Sequence, residues 1–372
     1  MEFTISRADL VKELSLSQGV VEKKTTIPIL SNVLVEAEGD KITLTATDLE
    51  LGIRCRCPAR VKKPGASTVP ARRLLDYVRL LPDTDLQVKI LDNHWASIVC
   101  GRSKTRIAGI SRESFPELPQ KPEPLAQLPI AELASMIAKT IFAISSEESR
   151  FTLNGALLLL KPKSLTMVAT DGHRLSMVEM QHELVGLTGT YRALLPRKAM
   201  AELQKLANDA QAGSGIQFSG DDNHLFFEIG ERLLLSRKLT GNFPDFERVL
   251  PKDHPHEVTL NRDDFRAAIE RVSQFSDERS RAIRLQVAPG EVKVFSSAAD
   301  TGESEEVIPC SYDGSSVEIG FNAQYLLDFV RTVESPDVTF LFKDGNSAGE
   351  LRPAGESATP MVYRYVIMPM RI

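Results

Sequence analysis

Val69-Pro70-Ala71-Arg72-Arg73-Leu74-Leu75 reads as the end of a strand running straight into a helix, and the chain writes this junction three times. It returns as Leu195-Pro196-Arg197-Lys198-Ala199-Met200 and as Phe321-Asn322-Ala323-Gln324-Tyr325-Leu326, with Pro70, Pro196 and Asn322 separated by 126 and 126 residues. Two further marks keep step. Leu44-Thr45-Ala46-Thr47-Asp48 and Met167-Val168-Ala169-Thr170-Asp171 lie 123 apart, with a weaker echo at Ser297-Ala298-Ala299-Asp300, and Phe115-Pro116 returns as Phe243-Pro244, 128 later. Three marks in one order predict a triplicated domain.

Proline clusters follow each Phe-Pro: Pro119, Pro122, Pro124 and Pro129 after the first, Pro251 and Pro255 after the second. Such stretches act as semi-rigid connectors. The predicted domains are therefore residues 1–124, 125–252 and 253–372. Each opens on an extended segment followed by a helical stripe, at Leu10/Leu14, Leu133/Ile137 and Phe265/Ile269. Short alternating runs such as Ile42-Thr43-Leu44-Thr45-Ala46 and Leu86-Gln87-Val88-Lys89-Ile90, bounded by turn residues, read as antiparallel strands. The expected fold is α+β: three tandem copies of a two-helix, antiparallel-sheet domain.

The second helix of each repeat carries a basic column. Arg79, Lys205 and Arg331 are spaced by 126 and 126, and Arg72 and Lys198 stand two turns before the first two on the same face. Gln324 breaks the column in the third repeat. Charged residues cover any solvated helix face, but a same-sign column in a chain of net charge −5 fits contact with a polyanion's backbone. Residues 1–123 hold 19 basic against 16 acidic residues, whereas 253–372 hold 12 against 20, so bulk charge does not supply the grip.

The longest purely apolar run spans only residues 156–160, far below the roughly 20 a membrane helix needs. The opening residues lack the apolar core of a secretory signal, and four cysteines make no disulfide framework. The expectation is a reducing, cytoplasmic compartment with no membrane and no cofactor.

Catalytic motifs fare poorly. Gly345-Asn346-Ser347-Ala348-Gly349 matches a nucleophile elbow, but Pro353 follows and no histidine lies downstream, so a hairpin turn is expected. Cys55-Arg56-Cys57 has no second pair at zinc-finger spacing, and the alternating faces of a strand argue against a joint metal site. Thr170-Asp171-Gly172-His173-Arg174 could centre an enzyme in which Asp171 orients His173. Asp48 stands in the same turn without a histidine, which favours turn capping by the aspartate and a pocket wall for His173 and Arg174. The terminal Tyr363-Arg364-Tyr365-Val366-Ile367-Met368-Pro369-Met370-Arg371-Ile372 is either a last core strand or the lining of an apolar groove.

In Ile27-Pro28-Ile29-Leu30, Thr47-Asp48-Leu49-Glu50, Thr170-Asp171-Gly172-His173-Arg174-Leu175, Arg248-Val249-Leu250-Pro251 and Met368-Pro369-Met370-Arg371 the sequence resembles the bacterial sliding-clamp family, the β subunits of DNA polymerase III. The resemblance implies a DNA clamp fold closed into a ring as a head-to-tail homodimer. Such a ring is a non-enzymatic processivity factor on double-stranded DNA without sequence preference. The implied partners are the replicative DNA polymerase, the clamp loader and clamp-binding repair proteins. The family's partner-peptide groove maps to Leu153, Thr170, Gly172, His173, Arg174, Leu175, Pro244, Arg248, Val249, Asn322, Tyr325, Val366, Met368, Pro369, Met370 and Arg371. Its DNA-facing positions map to Lys24, Arg73, Arg197 and Lys198, and its ring interface to Ile107 and Phe275. Glu147 and Ser146 stand where the family carries a glutamine and a histidine, and Thr105 replaces an aromatic. A monomeric repeat scaffold is the structural alternative to a ring.

Overall fold

The computed structural model describes residues 1–21, 26–210, 215–299, 302–355 and 361–371. Among the described residues, six helices of eight or more residues occur where the stripes and the strand-to-helix junctions predict them: α1 (Arg7–Ser17), α2 (Ala71–Arg79), α3 (Ile130–Thr140), α4 (Arg197–Asn208), α5 (Arg262–Val272) and α6 (Ala323–Val330). Local chemistry sets their starts. Asn261 accepts from the amides of Asp263 and Asp264 at 3.1 Å each, and Asn322 from those of Gln324 and Tyr325 at 2.9 and 3.4 Å. Where proline replaces the capping side chain before α4, the free amide of Arg197 is taken by the carbonyl of Asn154 at 3.1 Å. Each helix buries an apolar stripe: Leu10 and Leu14 on α1, Leu74, Leu75 and Val78 on α2, Leu133 and Ile137 on α3, Met200, Leu203 and Leu206 on α4, Phe265 and Ile269 on α5, and Leu326, Leu327 and Val330 on α6.

The chain forms two compact units, Met1–Ala134 with Lys198–Lys238, and Ser135–Arg197 with Leu239–Ile372. Each contains one eight-stranded and one smaller antiparallel sheet. In the first unit the large sheet runs Ala126–Pro129, Gly215–Gly220, His224–Ile229, Arg232–Arg237, Leu51–Pro58, Lys41–Thr47, Asn32–Glu38, Gly65–Pro70. Four strands from the second repeat thus join four from the first, across the pair Leu235↔Gly52. The second unit repeats the scheme, with Tyr191–Pro196, Gly155–Lys161, Ser164–Thr170 and Arg174–Gln181 joined to Met361–Ile367, Gly349–Pro353, Asp337–Phe342 and His256–Asn261.

The sharing of sheets between consecutive repeats is not encoded in any one repeat, since edge pairing is a long-range choice. The smaller sheets keep to one repeat each. One runs Arg60–Lys63, Glu2–Ser6, Asp85–Ile90, Ala96–Cys100, Ser103–Ile107, and the other Gly302–Pro309, Glu291–Ala298, Ala282–Ala288, Val317–Asn322.

One expectation changes in detail. Cys55 and Cys57, two apart on one strand, share its buried face, so strand alternation does not separate them. Burial holds the Cys57 thiol up at about 12, with Glu13 and Asp9 adding to it, so both sulfurs pack as small apolar groups. Residues 345–349 form the expected hairpin turn between Asp337–Phe342 and Gly349–Pro353, with Asp344 accepting from the amides of Asn346 and Ser347. No helix among the described residues is long and apolar enough to cross a membrane.

Candidate functional site

The strand Ser164–Thr170 turns at residues 171–173 and returns as Arg174–Gln181. Asp171 Oδ1 accepts from the amides of His173 and Arg174 at 2.9 and 3.0 Å, so this aspartate builds the turn. Thr170 Oγ1 donates to the carbonyl of Arg174 at 2.6 Å and accepts from the amide of Gly172 at 3.1 Å. Gly172 has φ +90°, and a Cβ there would stand 2.9 Å from Arg150 Nη1. That nitrogen donates to the carbonyl of Asp171 at 2.8 Å, so both conformation and space call for glycine. From the other side the Met368 amide donates to the His173 carbonyl at 2.9 Å.

Under this turn lies an apolar cavity of about 110 Å³, lined by Leu153, Thr170, Gly172, Arg174, Leu175, Pro244, Phe246, Val249, Val366 and Met368. Leu175 and Val366 are register partners at its floor, and with Leu157, Val168, Met177, Leu194, Phe243 and Phe246 they form one packed cluster. A rigid apolar floor with an exposed Met368 at the rim suits a large aliphatic or aromatic side chain.

Nine of the sequence-predicted groove residues line this cavity. Phe246 joins them unpredicted; it sits three residues after Phe243, in a short 3-10 turn that the Phe-Pro mark announces. The other predicted residues stand outside the lining. His173 is exposed on the turn, Arg248 is exposed and paired with Asp245 at 2.8 Å, and Asn322 is spent capping α6. Tyr325 lies beneath the Arg174 guanidinium, Pro369 is half-buried, and Arg371 is exposed. Met370 closes a backbone bridge, its amide donating to the carbonyl of Gly320 at 2.8 Å.

The C-terminal segment is both things its sequence allowed. Tyr363, Tyr365, Val366 and Ile367 are buried in the last strand, and Met368 emerges from it into the cavity wall. Tyr365 stacks on Phe329 with 5.3 Å between centroids and a 9° interplanar angle. Complete burial pushes its hydroxyl's pKa well up, keeping it a neutral donor to the Tyr325 carbonyl at 2.9 Å.

The cationic candidates divide by pairing. Arg72 faces Asp76 at 3.7 Å, Lys205 meets Glu202 at 2.7 Å, Lys198 pairs with Asp48, and Arg79 donates to Ser15 Oγ at 3.0 Å. Arg73 and Arg197 are exposed and have no ion pair among the described residues. Lys24 lies outside the described residues. Of the interface candidates, Ile107 is buried on the edge strand Ser103–Ile107, and Phe275 is half-buried within 3.7 Å of where a Gly302 Cβ would sit.

Comparison with known proteins agrees over the whole chain. Residues 1–119, 127–245 and 247–371 match the N-terminal, central and C-terminal domains of the DNA polymerase III beta subunit. The beta sliding clamp of Pseudomonas putida is 36% identical over 375 residues, and that of Caulobacter vibrioides 37% over 379, each match covering 100% of both chains. Among solved structures, a DNA polymerase sliding clamp from Pseudomonas aeruginosa superimposes with a TM-score of 0.91 at 34% identity, covering 100% of both chains. The sliding clamp of Bacillus subtilis gives 0.93 at 26% identity, covering 100% of this chain and 99% of the other. Triplicated domains, shared antiparallel sheets and full-length likeness lead to one conclusion: the chain belongs to the beta sliding clamp family of DNA polymerase III.

Proposed function

We propose that two copies of this chain close head to tail into a ring around double-stranded DNA, and that the ring tethers the replicative polymerase through the apolar cavity near Met368. On this reading the chain is a non-catalytic processivity factor of the cytoplasm. Clamp loader and repair proteins dock at the same groove, and DNA is held by enclosure.

One topological observation carries ring closure. In both eight-stranded sheets the joining strands are Arg232–Arg237 with Leu51–Pro58, and Met361–Ile367 with Arg174–Gln181. Their counterparts in the smaller sheets are Ser103–Ile107 and Gly302–Pro309, and each is a terminal strand. Unpaired edges invite another strand, and a heterologous pairing either closes or grows into filaments. The edges are complementary in charge: Lys104 and Arg106 are exposed on one, Glu303 and Glu305 on the other. Pairing them between two copies would join the five-stranded and four-stranded sheets into one of nine strands, across the same kind of edge that joins the repeats within the chain.

The non-catalytic reading is supported by how the Asp171 turn spends its groups. Both Asp171 oxygens serve backbone amides or the Arg174 guanidinium, so the aspartate orients no base. Arg73 and Arg197 supply sequence-independent phosphate contacts that weaken as salt rises.

Light scattering tests the assembly. A chain of 41.1 kDa should give a species of about 82 kDa at micromolar protein. A single-chain mass at that concentration would reject the ring.

A further inference from the structure

Leu51 occupies in the first repeat the place that Arg174 occupies in the second. Asp48 Oδ1 accepts from the amides of Glu50 and Leu51 at 3.0 and 2.7 Å, and Thr47 Oγ1 donates to the carbonyl of Leu51 at 2.9 Å. Arg237 closes on the carbonyl of Glu50 at 2.8 Å, as Met368 closes on that of His173. The same turn therefore forms around a leucine that is 3% exposed. Its backbone does not need an arginine, and burying a guanidinium where a leucine suffices carries a desolvation cost.

The partners of Arg174 show where that cost is offset. Nε meets Asp171 Oδ2 at 3.0 Å, Nη1 bonds Asp328 of α6 and lies 3.3 Å from the Tyr365 hydroxyl, and Nη2 donates to the carbonyl of Phe142 at 2.6 Å, just past α3. The guanidinium carbon stands 4.2 Å from the Tyr325 ring centroid. Four of the five N–H donors are engaged and one face is covered, which leaves little to offer a ligand. On the same face of that strand, Ser176 donates to the carbonyl of Lys139 at the end of α3. The opposite face carries Leu175, the cavity floor.

We propose that Arg174 is a positioning residue: it locks the Thr170–Gly172 rim of the cavity to α6 and to the end of α3, and it does not read the charge of the docked peptide. This rests on the peptide-docking reading above and assigns Asp328, which does not line the cavity, a part in docking.

The test uses the full-length protein and two N-acetylated hexapeptides with an adjacent Leu-Phe pair, one carrying an aspartate and the other asparagine in its place. Affinity is measured by calorimetry at a temperature where every variant is folded by circular dichroism. Arg174→Gln and Asp328→Asn should each weaken both peptides alike, by about tenfold. Arg174→Lys, which keeps the charge but loses the fork, should fall between. Amide exchange should speed up at Gly172 and His173 while the Asp48 turn of the other unit stays protected. Loss confined to the aspartate peptide overturns the proposal, because Arg174 would then pair with the ligand. Unchanged affinity in Asp328→Asn, with or without a lower melting temperature, overturns it as well. Failure of the unaltered protein to bind either peptide would instead strike the docking reading itself.

Discussion

Arg364 holds Glu350 in a two-pronged grip, Nε and Nη2 lying 2.6 and 2.7 Å from its two carboxylate oxygens. Glu350 is fully buried and also accepts from Arg352 Nε at 2.6 Å, while His254 Nε2 stands 3.0 Å away. Arg364 Nη2 donates as well to the carbonyl of Pro251, so the cluster anchors the connector leading into the third repeat.

This cluster predicts acid sensitivity. Burial alone would raise the Glu350 carboxyl, but its bonds to Arg364 and Arg352 hold it down at about 2, from an ordinary 4.5. A depressed carboxylate contributes stability that is complete above its unfolded value and is lost as pH falls through the folded one. The loss should run between about pH 4.5 and 2, worth on the order of 3 kcal/mol at full extent. Glu350→Gln should cost a similar amount at pH 7 by leaving two arginines uncompensated, and should flatten the acid limb of a urea-denaturation series.

The cavity rim predicts a separable defect. Met368 is 40% exposed, so Met368→Ala should leave the melting temperature nearly unchanged while weakening binding of an apolar peptide about tenfold. Phe246→Ala strikes the floor, where the side chain is 7% exposed, and should cost roughly 3 kcal/mol of stability along with binding. Calorimetric titration paired with thermal unfolding distinguishes the two.

Pairing within the chain predicts an order among the cations. Reversing Arg73 and Arg197 to glutamate should lower the salt slope of DNA association by about 1.8, near 0.9 for each phosphate contact removed. Reversing Arg72 and Lys205, already committed to Asp76 and Glu202, should change it less. Anisotropy titrations over 50–200 mM salt, the range in which such contacts respond, measure both slopes.

The edge strands predict a charge-swap rescue. Arg106→Glu should shift the sizing profile toward the single chain, and so should Glu305→Arg. Because opposite charges across an interface set pairing and like charges oppose it, the two variants mixed should recover a dimer containing one of each.

Much of this architecture is legible in the sequence because its causes are local. The stripe at Leu74, Leu75 and Val78, the caps at Asn261 and Asn322, and the aspartate turns at Asp48 and Asp171 each follow from residues a few places apart. The groove residues came through likeness of motif, and most of them do line the cavity. What stayed hidden is long-range. Lys198 meets Asp48 from 150 residues away and Arg174 meets Asp328 from 154, so neither the muting of the basic column nor the internal commitment of Arg174 could be read from spacing. The joining of Leu51–Pro58 to Arg232–Arg237 is equally invisible, since each strand's own pattern is content with any partner edge.

Enclosure is tested most directly by loading the protein onto nicked circular DNA, isolating the complex at a salt concentration that suppresses direct binding, and cutting the circle once. The protein should remain on the circle and be lost only after the cut, as a ring that slides off an end. Equal loss from intact and cut circles, or equal retention on both, would contradict a topological hold.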